Sequence, residues 1–167
     1  MQHNDLSNQV KSIHGFIPNA YQNMLDHSPL AASTLIHAKA FDSFSELTDA
    51  ELAALQLAVS IHNRDSYGIS MFSKKLKDLG VTMDDLNEIE VGGLPTSANE
   101  LQPVIKAVRI LLTRRGLLSD SEKQYFEDLG FGKTKLLQVV SCVCQTGILN
   151  YANNISKPII DPCFQQE

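Results

Sequence analysis

Leu47-Thr-Asp-Ala-Glu-Leu-Ala-Ala-Leu-Gln-Leu-Ala-Val-Ser-Ile-His-Asn63 is the stretch that decides the fold class. Thr48-Asp-Ala-Glu51 is a capping box: the Thr48 hydroxyl can accept from the amide of the third helical residue while Glu51 reaches back. Behind it, Leu52, Leu55, Val59 and His62 recur at helical spacing and form one stripe. Ile69, Phe72, Leu76 and Leu79 form a second, with Lys74, Lys75, Lys77 and Asp78 turned outward. Leu101, Val104, Ile105, Val108, Leu111 and Leu112 form a third, the cleanest of all. No stretch alternates as a half-buried strand requires. The chain reads as all-α: a single-domain bundle of seven or eight helices with no linker.

Start and stop signals agree with the stripes. Thr82-x-x-Asp85 and Ser119-x-x-Glu122 are cap-like in the same sense as Thr48-x-x-Glu51. Gly80, Gly116 and Gly130 fall just after helical stripes, where a left-handed residue closes the last turn. Pro18, Pro29, Pro95 and Pro103 sit in or near connections or first turns. A weak internal repeat is also visible. Lys75-Leu-Lys-Asp-Leu-Gly-Val-Thr-Met-Asp-Asp-Leu-Asn-Glu-Ile89 parallels Tyr125-Phe-Glu-Asp-Leu-Gly-Phe-Gly-Lys-Thr-Lys-Leu-Leu-Gln-Val139. Two helix–Gly–helix corners with the same capping needs account for most of it.

Composition narrows the function classes. The 167 residues carry 14 Lys plus Arg against 19 Asp plus Glu, a net charge of −5, and 43% are apolar. That balance suits one soluble domain with a real core and argues against nucleic acid as partner. Lys74-Lys75-x-Lys77 and Arg114-Arg115 read as solvated helix faces. The N-terminus has no basic region followed by an apolar run, so no signal peptide is expected. Leu136–Ser156 carries no charge and is long enough to span a bilayer. It also holds Gln138, Gln145, Asn150, Asn153 and Asn154, which belong inside a protein or an oligomer interface rather than in lipid. A cytoplasmic protein without membrane contact is expected. Cys142, Cys144 and Cys163 form no disulfide framework. Cys142 and Cys144, among valines, read as inert structural thiols, and Cys163 as exposed. His3, His14, His27 and His37 lack metal-site spacing, and no Gly-rich phosphate loop or nucleophile elbow is present, so neither metal nor cofactor is expected.

Gly15-Phe-Ile-Pro-Asn19, the Leu47–Asn63 helix, and the helix ending at Gly80-Val81 resemble the carboxymuconolactone decarboxylase and alkylhydroperoxidase D-like family. Arg115-Gly-Leu-Leu-Ser-Asp-Ser-Glu122 leading to Gly130, and Asn150-Tyr-Ala-Asn-Asn-Ile-Ser-Lys-Pro-Ile-Ile-Asp161, are similar to that family's later segments. The resemblance implies a helical domain over residues 15–167, preceded by an extension at 1–14. It also implies a homo-oligomer, trimer or hexamer, with a small-molecule ligand as a further possible partner. For the peroxidase branch it implies a Cys-x-x-Cys at positions 65 and 68, a histidine at 72 and a glutamate at 53. Those positions hold Asp65, Gly68, Phe72 and Ala53. A thiol peroxidase needs one thiolate to attack and a second thiol to resolve, and neither residue supplies one. Phe72 also removes the histidine on which the decarboxylase branch relies.

What replaces the site can be read in several ways. Asp65 stands near a helix N-terminus, where amides and dipole favour an anion, so it is either a cap or a remnant of the site's negative charge. With His62 one turn earlier it would make an acid–base pair for decarboxylation or lactone chemistry. Gly68 costs a helix about 1 kcal/mol relative to alanine. It therefore signals close packing or room for a ligand. Phe72 points to a filled site, and the balance leans to a plugged pocket. The leading expectation is a non-redox oligomeric protein that has lost the peroxidase centre. The rivals are the His62–Asp65 enzyme and a peroxidase acting through a relocated cysteine.

Overall fold

The capping box at Thr48 forms in full: its hydroxyl accepts from the Glu51 amide at 3.1 Å and the Glu51 carboxylate accepts from the Thr48 amide at 2.8 Å. A computed structural model describes residues 3–39 and 45–165. Within them run nine α-helices: α1 His3–His14, α2 Asn19–His27, α3 Pro29–Lys39, α4 Asp49–His62, α5 Ser66–Asp78, α6 Met83–Glu90, α7 Gln102–Arg114, α8 Asp120–Asp128 and α9 Lys133–Ser156. Single 3₁₀ turns lie at Asn99–Leu101 and Pro162–Phe164. There is no strand among the described residues, and the fold is all-α.

The count exceeds the expected seven or eight because the N-terminal segment divides into three helices. Pro29 lacks an amide hydrogen and holds Ser28 out of the helical region, at φ −150° and ψ 81°. Helix α2 therefore stops and α3 starts with proline at its first position. Helix α1, ahead of the domain start expected at residue 15, contributes Leu6 and Val10 to the core against α2 and α3.

Helix α4 is the axis of the molecule. Every residue from Glu51 to Ser60 is buried, and α5, α7 and α9 pack around it. A helix apolar on all sides asks for such a position. Ala53, Ala54 and Ala58 let neighbouring backbones approach, while Leu52, Leu55, Leu57 and Val59 fill the spaces. Each of the larger side chains stabilises the fold by about 1.5–3 kcal/mol on burial.

Helix α9 lies across α4 and α5. Its inner face holds Val139, Cys142, Val143, Gln145, Thr146, Leu149, Asn150 and Asn153, whereas Leu137, Cys144, Tyr151 and Ile155 face out. No described helix is long and apolar enough to cross a membrane. The internal repeat is two similar corners, α5–α6 and α8–α9. Gly80 and Gly130 have φ of +91° and +67°. The next residues, Val81 and Phe131, return amide bonds to Leu76 and Phe126 at 3.0 and 2.8 Å. The caps differ, since Thr82 caps α6 with its side chain and Gly132 has none to offer α9.

Candidate functional site: a polar clasp at the α4–α5 corner

Helix α4 ends in a Schellman motif. The Asp65 amide bonds to the Ser60 carbonyl at 3.0 Å and the Arg64 amide to the Ile61 carbonyl at 3.1 Å. Arg64 takes the left-handed position, φ 56°, that glycine usually fills. Asp65 then caps α5, accepting from the Tyr67 amide at 3.1 Å through Oδ1. Its other oxygen accepts from Asn150 Nδ2 at 2.7 Å and Asn153 Nδ2 at 2.9 Å, both from α9. Asn150 also donates to Ser60 Oγ at 3.0 Å and accepts from Asn63 Nδ2 at 3.0 Å. Asn154 Nδ2 holds the Asn63 carbonyl at 2.7 Å. Three asparagines of α9 thus close over the corner, and both oxygens of the buried carboxylate have donors.

This clasp decides what stands at the expected positions. Asp65 is 2% exposed and Gly68 is buried beneath the clasp. A Cβ at residue 68 would stand 2.5 Å from Ser60 Oγ, 2.6 Å from Asp65 Oδ2 and 2.9 Å from Asn150 Nδ2. The space a side chain would need is therefore filled by polar groups. Phe72 and Ala53 lie in the hydrophobic core. His62 is exposed at the end of α4, and the left-handed Arg64 turns the chain before α5, so the two helices share no common axis. The structure therefore does not pair His62 with Asp65: the Asp65 carboxylate is committed to Tyr67, Asn150 and Asn153 while the imidazole faces solvent.

A second polar group locks the chain end to the same corner. The Tyr67 hydroxyl donates to Asp161, which also accepts from the Asn19 amide at 3.0 Å. Burial, reinforced by the Asp161 carboxylate, pushes the Tyr67 phenol well above its ordinary range, so it stays a donor. The Phe164 ring packs against Tyr67 and Phe16. Asn19, Tyr67 and Asp161 were not legible as partners because the bonds join positions 142 and 94 residues apart. Asn150 and Asn153 did leave a signal, as polar residues in the uncharged stretch Leu136–Ser156. Two buried acceptors near the clasp, Gln56 Oε1 and Asn153 Oδ1, have no partner among the described residues.

Among the described residues no cluster of histidine, cysteine or acid is arranged to hold a metal, and the His3 side chain lies outside them. None of Cys142, Cys144 and Cys163 is in a disulfide. Cys142 is buried and Cys163 exposed, in line with expectation, but Cys144 is exposed. Residues two apart on a helix point about 200° apart, so only one of Cys142 and Cys144 can face the core.

The sequence matches no protein-family model and no curated protein. The fold is similar to that of the debrominase Bmp8 in its apo crystal structure, with a TM-score of 0.71 over 98% of this chain and 88% of that one. The two are 18% identical. What they share is the fold. The same architecture carries an enzyme in Bmp8.

Proposed function

We propose that this chain is a carboxymuconolactone decarboxylase/alkylhydroperoxidase D-like protein without a thiol peroxidase centre, a non-redox cytoplasmic homo-oligomer. The observation that carries the reading is the clasp: where the family resemblance asks for two thiols, Asp65 is bound by Asn150 and Asn153, and Gly68 has no room for a side chain. A carboxylate has no redox chemistry, and both oxygens of this one are already occupied by protein donors. Self-association is supported by the outward face of α9, where Tyr151 and Ile155 are 62% and 87% exposed within the uncharged stretch 136–156.

The deciding experiment is organic-hydroperoxide turnover with a dithiol reductant, run beside a variant in which Cys142, Cys144 and Cys163 are all replaced by serine. Equal background rates are expected. Turnover that vanishes with the cysteines overturns the proposal and assigns the activity to a relocated thiol. Light scattering on the purified protein reads the oligomer, and a monomer that persists at high concentration removes that part of the reading.

A further inference from the structure

Helix α9 ends at Ser156, and Lys157, at φ 48°, turns the chain away from the helix axis. Residues 158–165 then cross the starts of α2 and α5. Asp161 is the one buried residue among them, and it is also the charged one. Its Oδ2 accepts from the Asn19 amide, the first of α2, at 3.0 Å, and from the Tyr67 hydroxyl of α5. Helix α2 needs this partner, because Pro18 at its N-cap has no side-chain acceptor to offer. The Asn19 side chain donates in turn to the Ile159 carbonyl at 2.9 Å. A 3₁₀ turn closed by the Phe164 amide on the Asp161 carbonyl, at 2.9 Å, then brings the Phe164 ring to its place. The ring centre lies 5.9 Å from that of Phe16 and 6.0 Å from that of Tyr67.

This strap is held differently from the helices beneath it. Ile159 is 81% exposed, and Ile160 and Phe164 are only half-buried. Helix α2 instead buries Ala20, Tyr21, Met24 and Leu25. Hydrophobic stabilisation follows the apolar area removed from water, so lifting the strap costs far less than lifting α2. Segments with few buried apolar contacts open locally while the rest stays folded. What closes this one is a charge-assisted acceptor shared by two donors, which engages both or releases both. Opening hands three donors, the Asn19 amide, the Asn19 side chain and the Tyr67 hydroxyl, from the strap to water. That exchange is small enough to occur in the native state.

We infer that residues 158–165 are a strap that opens and closes as one unit over a folded body, with Asp161 as the catch and Phe164 as a second hold. Tyr67 ties it to the clasp, since its hydroxyl binds Asp161 while its amide binds Asp65. The open strap therefore bares the Tyr67 phenol beside the α4–α5 corner. The device is independent of whether the chain has redox activity and of its assembly.

Amide exchange read by NMR tests it on the full chain, on Phe164→Ala and on Tyr67→Phe. The Asn19 amide reports the catch, and the Phe164 amide reports the turn beyond it. Phe164→Ala leaves both donors to the Asp161 carboxylate in place, yet it is expected to speed Asn19 exchange about tenfold. Tyr67→Phe, which removes one donor, is expected to speed exchange of the Phe164 amide about threefold. Amides in the middle of α4 should stay within about twofold in both variants. Equal acceleration at α4 overturns the inference, since the strap then opens only with the whole fold. Unchanged Asn19 exchange in Phe164→Ala overturns it too, since catch and ring would then act separately. If Phe164→Ala does not fold, Tyr67→Phe, which keeps both rings, decides through the Phe164 amide: unchanged exchange there overturns the inference.

Discussion

At position 68 the usual ranking of glycine and alanine in a helix is inverted. In an open helix Gly→Ala stabilises by about 1 kcal/mol. Here the new methyl would fall within 3 Å of Ser60 Oγ, Asp65 Oδ2 and Asn150 Nδ2, all buried and mutually bonded. Making room breaks those bonds, so Gly68→Ala is expected to destabilise by about 2 kcal/mol in urea unfolding. A stabilised variant would mean that the clasp is loose. The sequence showed that residue 68 is special without showing why. Close packing and space for a ligand both ask for glycine, and the groups that fill the space come from α4 and from α9, far along the chain.

The elements show the same division between local and distant causes. Arg64, Arg115 and Lys157 are the described non-glycine residues with positive φ, and each stands just past the end of a helix: α4, α7 and α9. A cation there complements the negative end of the dipole while the backbone is strained. Arg64→Gly is expected to raise stability by about 0.5 kcal/mol, the backbone gain partly offset by the lost charge, read from thermal melts. A loss of stability would show that the guanidinium matters more than the conformation. At the start of α6 the sequence read Thr82-x-x-Asp85 as cap-like. Thr82 does accept from the Asp85 amide, at 3.2 Å. The Asp85 side chain accepts from the Thr82 hydroxyl at 3.1 Å and also takes the amides of Thr96, Ser97 and Ala98 at 2.7, 3.0 and 3.1 Å, folding the approach to α7 around itself. Burial alone would raise its pKa, but the Ser97 and Thr96 amides, the Thr82 hydroxyl and the Ala98 amide outweigh it and hold the group below the ordinary carboxylate range. A depressed folded-state pKa gives stability that is present above the unfolded value and lost as pH falls through the folded one. Asp85→Asn should therefore be less stable than the parent at neutral pH, and its stability should fall less steeply on acidification. Parallel acid curves for the two proteins would contradict that account.

For the whole molecule, thiol accessibility reports the packing of α9. Cys144 and Cys163 are exposed and Cys142 is 7% exposed. A mild aromatic disulfide reagent should titrate Cys163 quickly in the native protein, Cys144 slowly because it shares the outer face of α9 with Tyr151 and Ile155, and Cys142 only after unfolding. Three fast thiols would place the inner face of α9 in solvent, and two would mean that assembly leaves its outer face open. Helix content and helix bounds were readable because caps, glycine stops and stripes act within a few residues. The extra helix came from a local cause too, the Ser28–Pro29 junction.

The sequence by itself determined that this protein is all-α, where most of its helices start and stop, and that positions 65 and 68 hold no thiol. These properties arise from the chemistry of single residues and of neighbours within one or two turns. Only the tertiary structure decided that Asp65 is held by Asn150 and Asn153 and that His62 stands apart from it. Those outcomes depend on which faces of distant helices meet. A hydrogen bond across 85 residues has no local pattern to announce it.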